Sequence, residues 1–203
     1  MSLVTINRRT LVLGCCAVAA TTGAAIVASA SLRRRNAAIG DGPSKVASLD
    51  FSLTTPSGTP FSGEELKGRP FLVFFGFTNC PEICPTTLYE LSMRLKEMGP
   101  DANVITPLFI SVDPERDTGK VLERYMASFD PRIVALRGTA EEIDKAVASF
   151  GAYFKKFRID DDYTVDHTAV VLLYDERARL RGTLDTHETA ESQRQKLDRL
   201  AAG

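Results

Sequence analysis

Two cysteines, Cys80 and Cys84, stand in the segment TNCPEICPT with three residues between them and a proline after each. A thiolate is both a soft metal ligand and a nucleophile, so sulfurs at this spacing can converge on one ion, or close a disulfide if the loop folds back. Pro81 and Pro85 restrict the loop and limit how much order binding must impose. If Cys84 opens a helix, its sulfur faces unpaired N–H groups and the positive end of the helix dipole, and both thiols are expected to ionise more easily than free cysteine. A nearby imidazole would complete a trigonal set suited to copper, Cu(I) above all. The chain offers two histidines. His187 lies in a polar stretch and reads as an exposed surface residue. His167 lies immediately before the apolar run AVVLLY, and its residue context alone allows a ligand, a capping residue or a core histidine. At the amino end of a strand, it reaches the cysteine loop only if that strand runs antiparallel to the central one.

The elements that must position these groups are visible as apolar patterns. FLVFFGF, residues 71–77, is an unbroken apolar run and predicts a central strand covered on both faces. Pro85 suits a helix start, and Leu88, Leu91, Leu95 and Met98 recur at helical spacing up to Gly99-Pro100. Leu108–Val112 predicts a second strand ending at Asp113-Pro114, and Val121, Leu122, Tyr125, Met126 and Phe129 mark a helix. Ile133–Leu136 is a short strand and Glu141–Phe150 a helix, followed by an aromatic, acidic loop through Asp160, Asp161 and Asp162. Residues 169–174 and Leu180–Leu184 predict two more strands, and residues 188–202 a closing helix. Phe51, Leu53 and Phe61 around the Pro56-Ser57-Gly58 turn predict an opening hairpin. Strands alternating with helices define an α/β domain with a mainly parallel sheet.

The chain has 203 residues and a net charge of −1, which hides an asymmetry. Arg8, Arg9, Arg33, Arg34 and Arg35 occur among the first 35 residues with no acid, so the remainder holds 20 basic and 26 acidic side chains. That balance disfavours a nucleic-acid partner and suits cations or a basic partner patch. From Thr10 to Leu32 no charge interrupts the chain, a run long enough to cross a bilayer as a helix. Residues 1–35 are therefore expected to be a membrane anchor, or a signal segment cleaved after Ala30, where Ala28-Ser29-Ala30 fits the small-residue pattern. Arg8-Arg9 weakly resembles a twin-arginine signal and Cys15 a lipoprotein box. Residues 36–46 read as a Gly/Pro-containing linker, and the domain as 47–203. Cys80 and Cys84 are its only cysteines, which excludes a multi-bridge disulfide framework.

Three blocks, FGFTNCPEICPTTL, ISVDPERDT and DYTVDHTAVVLLY, resemble in order and spacing the signatures of the Sco/SenC family. The resemblance covers roughly residues 46–203. It implies a thioredoxin-like fold, a central mixed β-sheet flanked by helices, with copper, Cu(I) or Cu(II), held by Cys80, Cys84 and His167. It also implies a redox-active disulfide between Cys80 and Cys84, and a metallochaperone role in building the dinuclear copper site of cytochrome c oxidase. The implied partners are subunit II of that oxidase or another copper or thiol acceptor, and the implied location is the inner (cytoplasmic) membrane with the domain in the periplasm. Asn79 stands where many relatives have histidine, and Asp175-Glu176-Arg177-Ala178 replaces a Pro-Asp-Gly turn; neither touches the three ligands. Asp113 and Asp166 are either second partners of the site, since outer carboxylates often orient bound imidazoles, or plain loop carboxylates. Arg116 and Asp117 read as partner-docking or structural residues.

The rival reading is a membrane-tethered thiol-disulfide oxidoreductase, with a peroxidase or a copper or redox sensor further off. Thioredoxin oxidoreductases resemble one another in a cis-proline before a late strand. Here every proline lies at or before Pro131, and His167 stands where that proline is expected.

Overall fold

The computed structural model describes residues 45–203. The expected anchor or signal segment and nearly all of the linker lie outside the described residues. Among the described residues no helix is long and apolar enough to cross a membrane.

A small hairpin, β1 (Ser52–Thr54) with β2 (Pro60–Ser62), opens the domain, with Leu53 and Phe61 opposite each other and buried. β3 (Phe71–Gly76) is buried at all six positions. It pairs in parallel with β4 (Thr106–Ser111), which pairs in parallel with β5 (Val134–Leu136). On its other side β3 pairs antiparallel with β8 (Val171–Tyr174), and β8 antiparallel with β9 (Leu180–Leu184). The order is β5-β4-β3-β8-β9, a mixed sheet.

Helices α1 (Ile83–Met98), α2 (Gly119–Met126), α3 (Ala140–Phe150) and α4 (Ala190–Ala202) cover it. Successive strand side chains point to opposite faces. Phe71 and Phe75 therefore pack together against Phe150 of α3, while Phe74 and Gly76 look the other way, toward Phe109 and Cys84 of α1. This two-sided cover is why β3 shows no apolar/polar alternation. Helix starts follow their local signals: Thr118 and Thr189 accept from backbone N–H groups, and Thr139 with Glu142 forms a capping box. Gly151 ends α3 in the left-handed region, φ 59°.

The structure departs from the sequence reading at residues 154–167. What reads as an acidic loop is a second hairpin, β6 (Phe154–Ile159) with β7 (Asp162–His167), outside the main sheet. Its two-residue turn places Asp160 at φ 49°, a conformation aspartate tolerates better than most residues. The strands escape notice because FKKFRI lacks an apolar/polar alternation. One face of the hairpin carries Phe154 opposite His167, Lys156 opposite buried Val165, and Arg158 opposite Tyr163. Lys155, Asp166, Phe157 and Ile159 lie on the other face, which is exposed.

Phe75→Ala removes a fully buried ring from the β3–α3 contact, and Thr139→Ala removes a helix cap. The first is expected to cost about 3–5 kcal/mol and the second about 1 kcal/mol, read as shifts in urea denaturation.

Candidate metal centre

β3 delivers the chain to the cysteine loop at its carboxyl end, and α1 begins at Ile83, so Cys84 lies in the first helical turn and is fully buried. Cys80 is half-buried, and its sulfur accepts from the Cys84 backbone N–H at 3.4 Å. Glu82, the residue at the helix cap, contributes no side-chain cap. The sulfur of Cys80 thus occupies the place of a helix-capping oxygen, where exposed N–H groups favour an anion. A hydrogen bond from the Cys84 thiol lowers the Cys80 pKa against the effect of burial. The same shared hydrogen bond and then burial raise that of Cys84. The expectation that both thiols ionise easily is corrected: Cys80 ionises more easily than free cysteine, whereas the hydrogen bond between the sulfurs and burial keep Cys84 a thiol.

Close approach of Cys84 to the sheet requires Gly76. A Cβ there would lie 2.9 Å from the Cys84 sulfur and 2.7 Å from the Phe109 ring. A glycine inside an apolar strand is the sequence signal for such an approach.

β8 is antiparallel to β3, so the segment leading into it returns to the edge that carries the cysteines. His167, the last residue of β7, places Nε2 3.5 Å from the Cys84 sulfur. Its ring meets Phe77 edge-on with centroids 5.8 Å apart, and Phe74 at 6.2 Å. Nδ1 lies 3.0 Å from the Thr168 carbonyl. A carbonyl only accepts, so Nδ1 carries the proton and the Nε2 lone pair is free for an acid or a metal. The ligand atoms of Cys80, Cys84 and His167 all lie within 4.8 Å of one another. Two sulfurs and one imidazole nitrogen form a set that fits copper by donor softness.

The two carboxylates expected as second partners sit differently. Asp166 is exposed on the hairpin face opposite its neighbour His167, so the Thr168 carbonyl takes the orienting role assigned to a carboxylate. Asp113 is fully buried, paired with the Arg116 guanidinium, and accepts from the Tyr163 hydroxyl at 2.7 Å. His187 is exposed and hydrogen-bonded to Asp185. Sequence reasoning missed Thr78, Ser111 and Tyr163. Asp117 is buried and accepts from the Thr78 backbone N–H at 3.1 Å, the Thr78 hydroxyl at 2.6 Å and the Ser111 hydroxyl at 2.5 Å. Burial raises its pKa while those donors pull the other way. It pins the backbone two residues ahead of Cys80.

A parallel β3–β4–β5 core extended by antiparallel β8 and β9, with a cysteine pair between the central strand and the helix after it, defines a thioredoxin-like domain with a thiol–imidazole centre. Its family follows from sequence: a family model described as SCO1/SenC matches residues 41–202, and the chain belongs to that family. The structure of Bradyrhizobium japonicum ScoI with copper bound is 41% identical, with a TM-score of 0.70, and the match covers 77% of this chain and 99% of that one. Yeast Sco1 with copper bound is 29% identical, with a TM-score of 0.70, and its match covers 78% of this chain and 90% of that one. Human protein SCO1 homolog, mitochondrial, is 39% identical over 127 residues, or 61% of this chain and 42% of that protein. The chain spans about half the length of the curated relatives it matches.

At pH 6–7 a limiting amount of iodoacetamide is expected to alkylate Cys80 well before Cys84, read by peptide mass mapping of the metal-free, reduced chain. Equal labelling, or Cys84 first, would contradict the burial and ionisation order above.

Proposed function

We propose that this chain is a copper metallochaperone, and that its cargo is held by Cys80, Cys84 and His167 for delivery to the dinuclear copper site of cytochrome c oxidase. The observation that carries the reading is the convergence of two sulfurs and Nε2 within 4.8 Å from positions as far apart as Cys80 and His167. Copper-bound relatives of the same fold and family support the choice of metal. With copper as cargo, the half-buried Cys80 is the ligand an incoming acceptor thiol reaches first, and Cys84 and His167 hold the ion from beneath. Stepwise ligand exchange then moves copper to the acceptor, for which subunit II of the oxidase or another copper or thiol protein is proposed.

Both cysteines are free thiols. Their oxidation to a disulfide, with two electrons and two protons passing to an oxidising disulfide partner, would withdraw both sulfurs from copper. The pair is thus proposed as a redox gate on loading. Such a gate belongs in an oxidising compartment. Residues 1–35 are proposed to tether the domain, residues 47–203, to the inner membrane through the 36–46 linker, with the domain in the periplasm, or to be cleaved and leave it there. The unequal cysteines also favour a second reading, a thiol-disulfide oxidoreductase with Cys80 as nucleophile and Cys84 resolving.

The reduced full-length chain is expected to take up one copper per chain in a competition titration with a chelator. His167→Ala should weaken binding by at least the roughly tenfold to hundredfold that loss of an outer partner costs at such sites. Prior oxidation of the pair should abolish uptake. If copper binding is indifferent to His167 while His167→Ala reduces an acceptor disulfide at the full wild-type rate, the oxidoreductase reading replaces this one.

A further inference from the structure

The hairpin that carries His167 is a two-stranded ribbon outside the main sheet, and such ribbons are marginal alone. Val165 and Phe154 seat it on the core, and its polar hold on the domain centres on one cluster. Arg116, from the turn after β4, pairs with the buried carboxylate of Asp113 and donates to the Tyr163 carbonyl at 3.0 Å and to Asp162 at 3.4 Å. Its guanidinium lies 3.7 Å from the centre of the Tyr163 ring, and the Tyr163 hydroxyl returns to Asp113 at 2.7 Å. Phe77 connects the cluster to the metal ligand, with the Arg116 guanidinium 5.7 Å from its ring centre and the His167 ring edge-on to it. One residue further on, Asp117 pins the cysteine loop through Thr78. The turn from Asp113 to Asp117 therefore grips both halves of the site, four positions ahead of His167 on β7 and two ahead of Cys80.

We propose that the Arg116–Asp113–Tyr163 clamp presents His167 to the cysteine pair, so that Arg116 and Tyr163 are positioning residues that set how tightly the site retains copper. Neither touches the ion. With the clamp closed, the ribbon holds Nε2 over the sulfurs; with it open, the ribbon keeps its apolar seat on the core through Val165 and Phe154 and its Lys156–Glu115 pair, and loses the polar contacts that fix its register. Retention then falls to what the two sulfurs provide, which is the state from which an acceptor draws copper. The inference rests on the copper reading above.

Removing Arg116 strands a buried carboxylate and risks the fold, so Tyr163 is the better probe. Tyr163→Leu removes the stacked ring and the hydroxyl and leaves the ion pair. In the metal-free full-length chain, amides of residues 154–167 should exchange hydrogen faster while those of β3 keep wild-type rates. In Cu(I) competition titrations the variant should bind about tenfold to a hundredfold more weakly, the size of effect seen for partners that act through a ligand. The Tyr163→Leu/His167→Ala double variant should bind no more weakly than His167→Ala, because both changes remove one contribution. Tyr163→Phe, which keeps the ring over Arg116, should fall between wild type and Tyr163→Leu. Wild-type affinity in Tyr163→Leu beside a weakened His167→Ala, additive losses in the double variant, or exchange that rises in β3 as well would each overturn the clamp. An unweakened His167→Ala would instead remove the copper reading and this inference with it.

Discussion

The antiparallel pairing of β8 against β3 is the constraint on which the site depends. Val73 faces Leu172 and Phe71 faces Tyr174, so the chain entering β8 comes from the edge at which β3 ends. A parallel β8 of this length would deliver His167 to the opposite edge, about 20 Å away at some 3.3 Å per residue over the six positions of β3. With the observed pairing, three connections meet at one edge: the cysteine loop after β3, the Asp113–Asp117 turn after β4, and the hairpin before β8. The parallel neighbours supply the acid–base scaffold and the antiparallel neighbour supplies the imidazole.

That edge is also where the charge chemistry is set. The hydrogen bond between the two sulfurs, with the deeper burial of Cys84, makes Cys80 the more easily ionised thiol, and the Cys84 N–H at the helix start adds to that preference. Cys84 is buried against Gly76 and Phe109, so ionising it alone in that apolar setting is unfavourable. Copper held there by both sulfurs, as proposed above, would displace the Cys84 proton. Uptake would then be coupled to proton release, and the burial that suppresses the Cys84 thiolate in the metal-free protein would shield the ion from competing water ligands.

Much of this was legible in the chain. FLVFFGF had to be a central strand because a run without polar positions has no solvent face, and the Leu88, Leu91, Leu95 and Met98 spacing had to be a helix against it. The cysteines announce a site by type and spacing alone. His167 did not: its neighbours fit a core or capping role equally well, and only the orientation of a strand, a long-range property, brings it to the sulfurs. The β6–β7 hairpin was hidden for a related reason. Lys155, Lys156 and Arg158 give it a loop-like composition, and what anchors it is distant in sequence: the core on which Val165 packs and Arg116, 47 positions from the Tyr163 carbonyl it holds. Asp166 shows the converse, since adjacency in sequence to His167 means opposite faces once the segment is a strand.

The polar character of the Asp113–Asp117 turn is not explained by stability. Two carboxylates with no exposure lie within five residues, and only Asp113 has a cation directly paired with it; Asp117 is satisfied by the Thr78 and Ser111 donors. Well-packed apolar side chains can replace buried ion pairs without loss, because desolvating the charges consumes most of their attraction. Apolar contacts, however, tolerate sliding by a fraction of an ångström, whereas hydrogen bonds of fixed direction do not. A ligand set assembled from two distant segments needs its atoms held to within about 0.5 Å. Asp117 directs three donors from β3's exit and β4, and Asp113 with Arg116 directs the ribbon, so one turn registers the sulfurs and the imidazole against a common frame. The unfavourable burial of charge is tolerated because it defines a geometry that packing alone leaves loose.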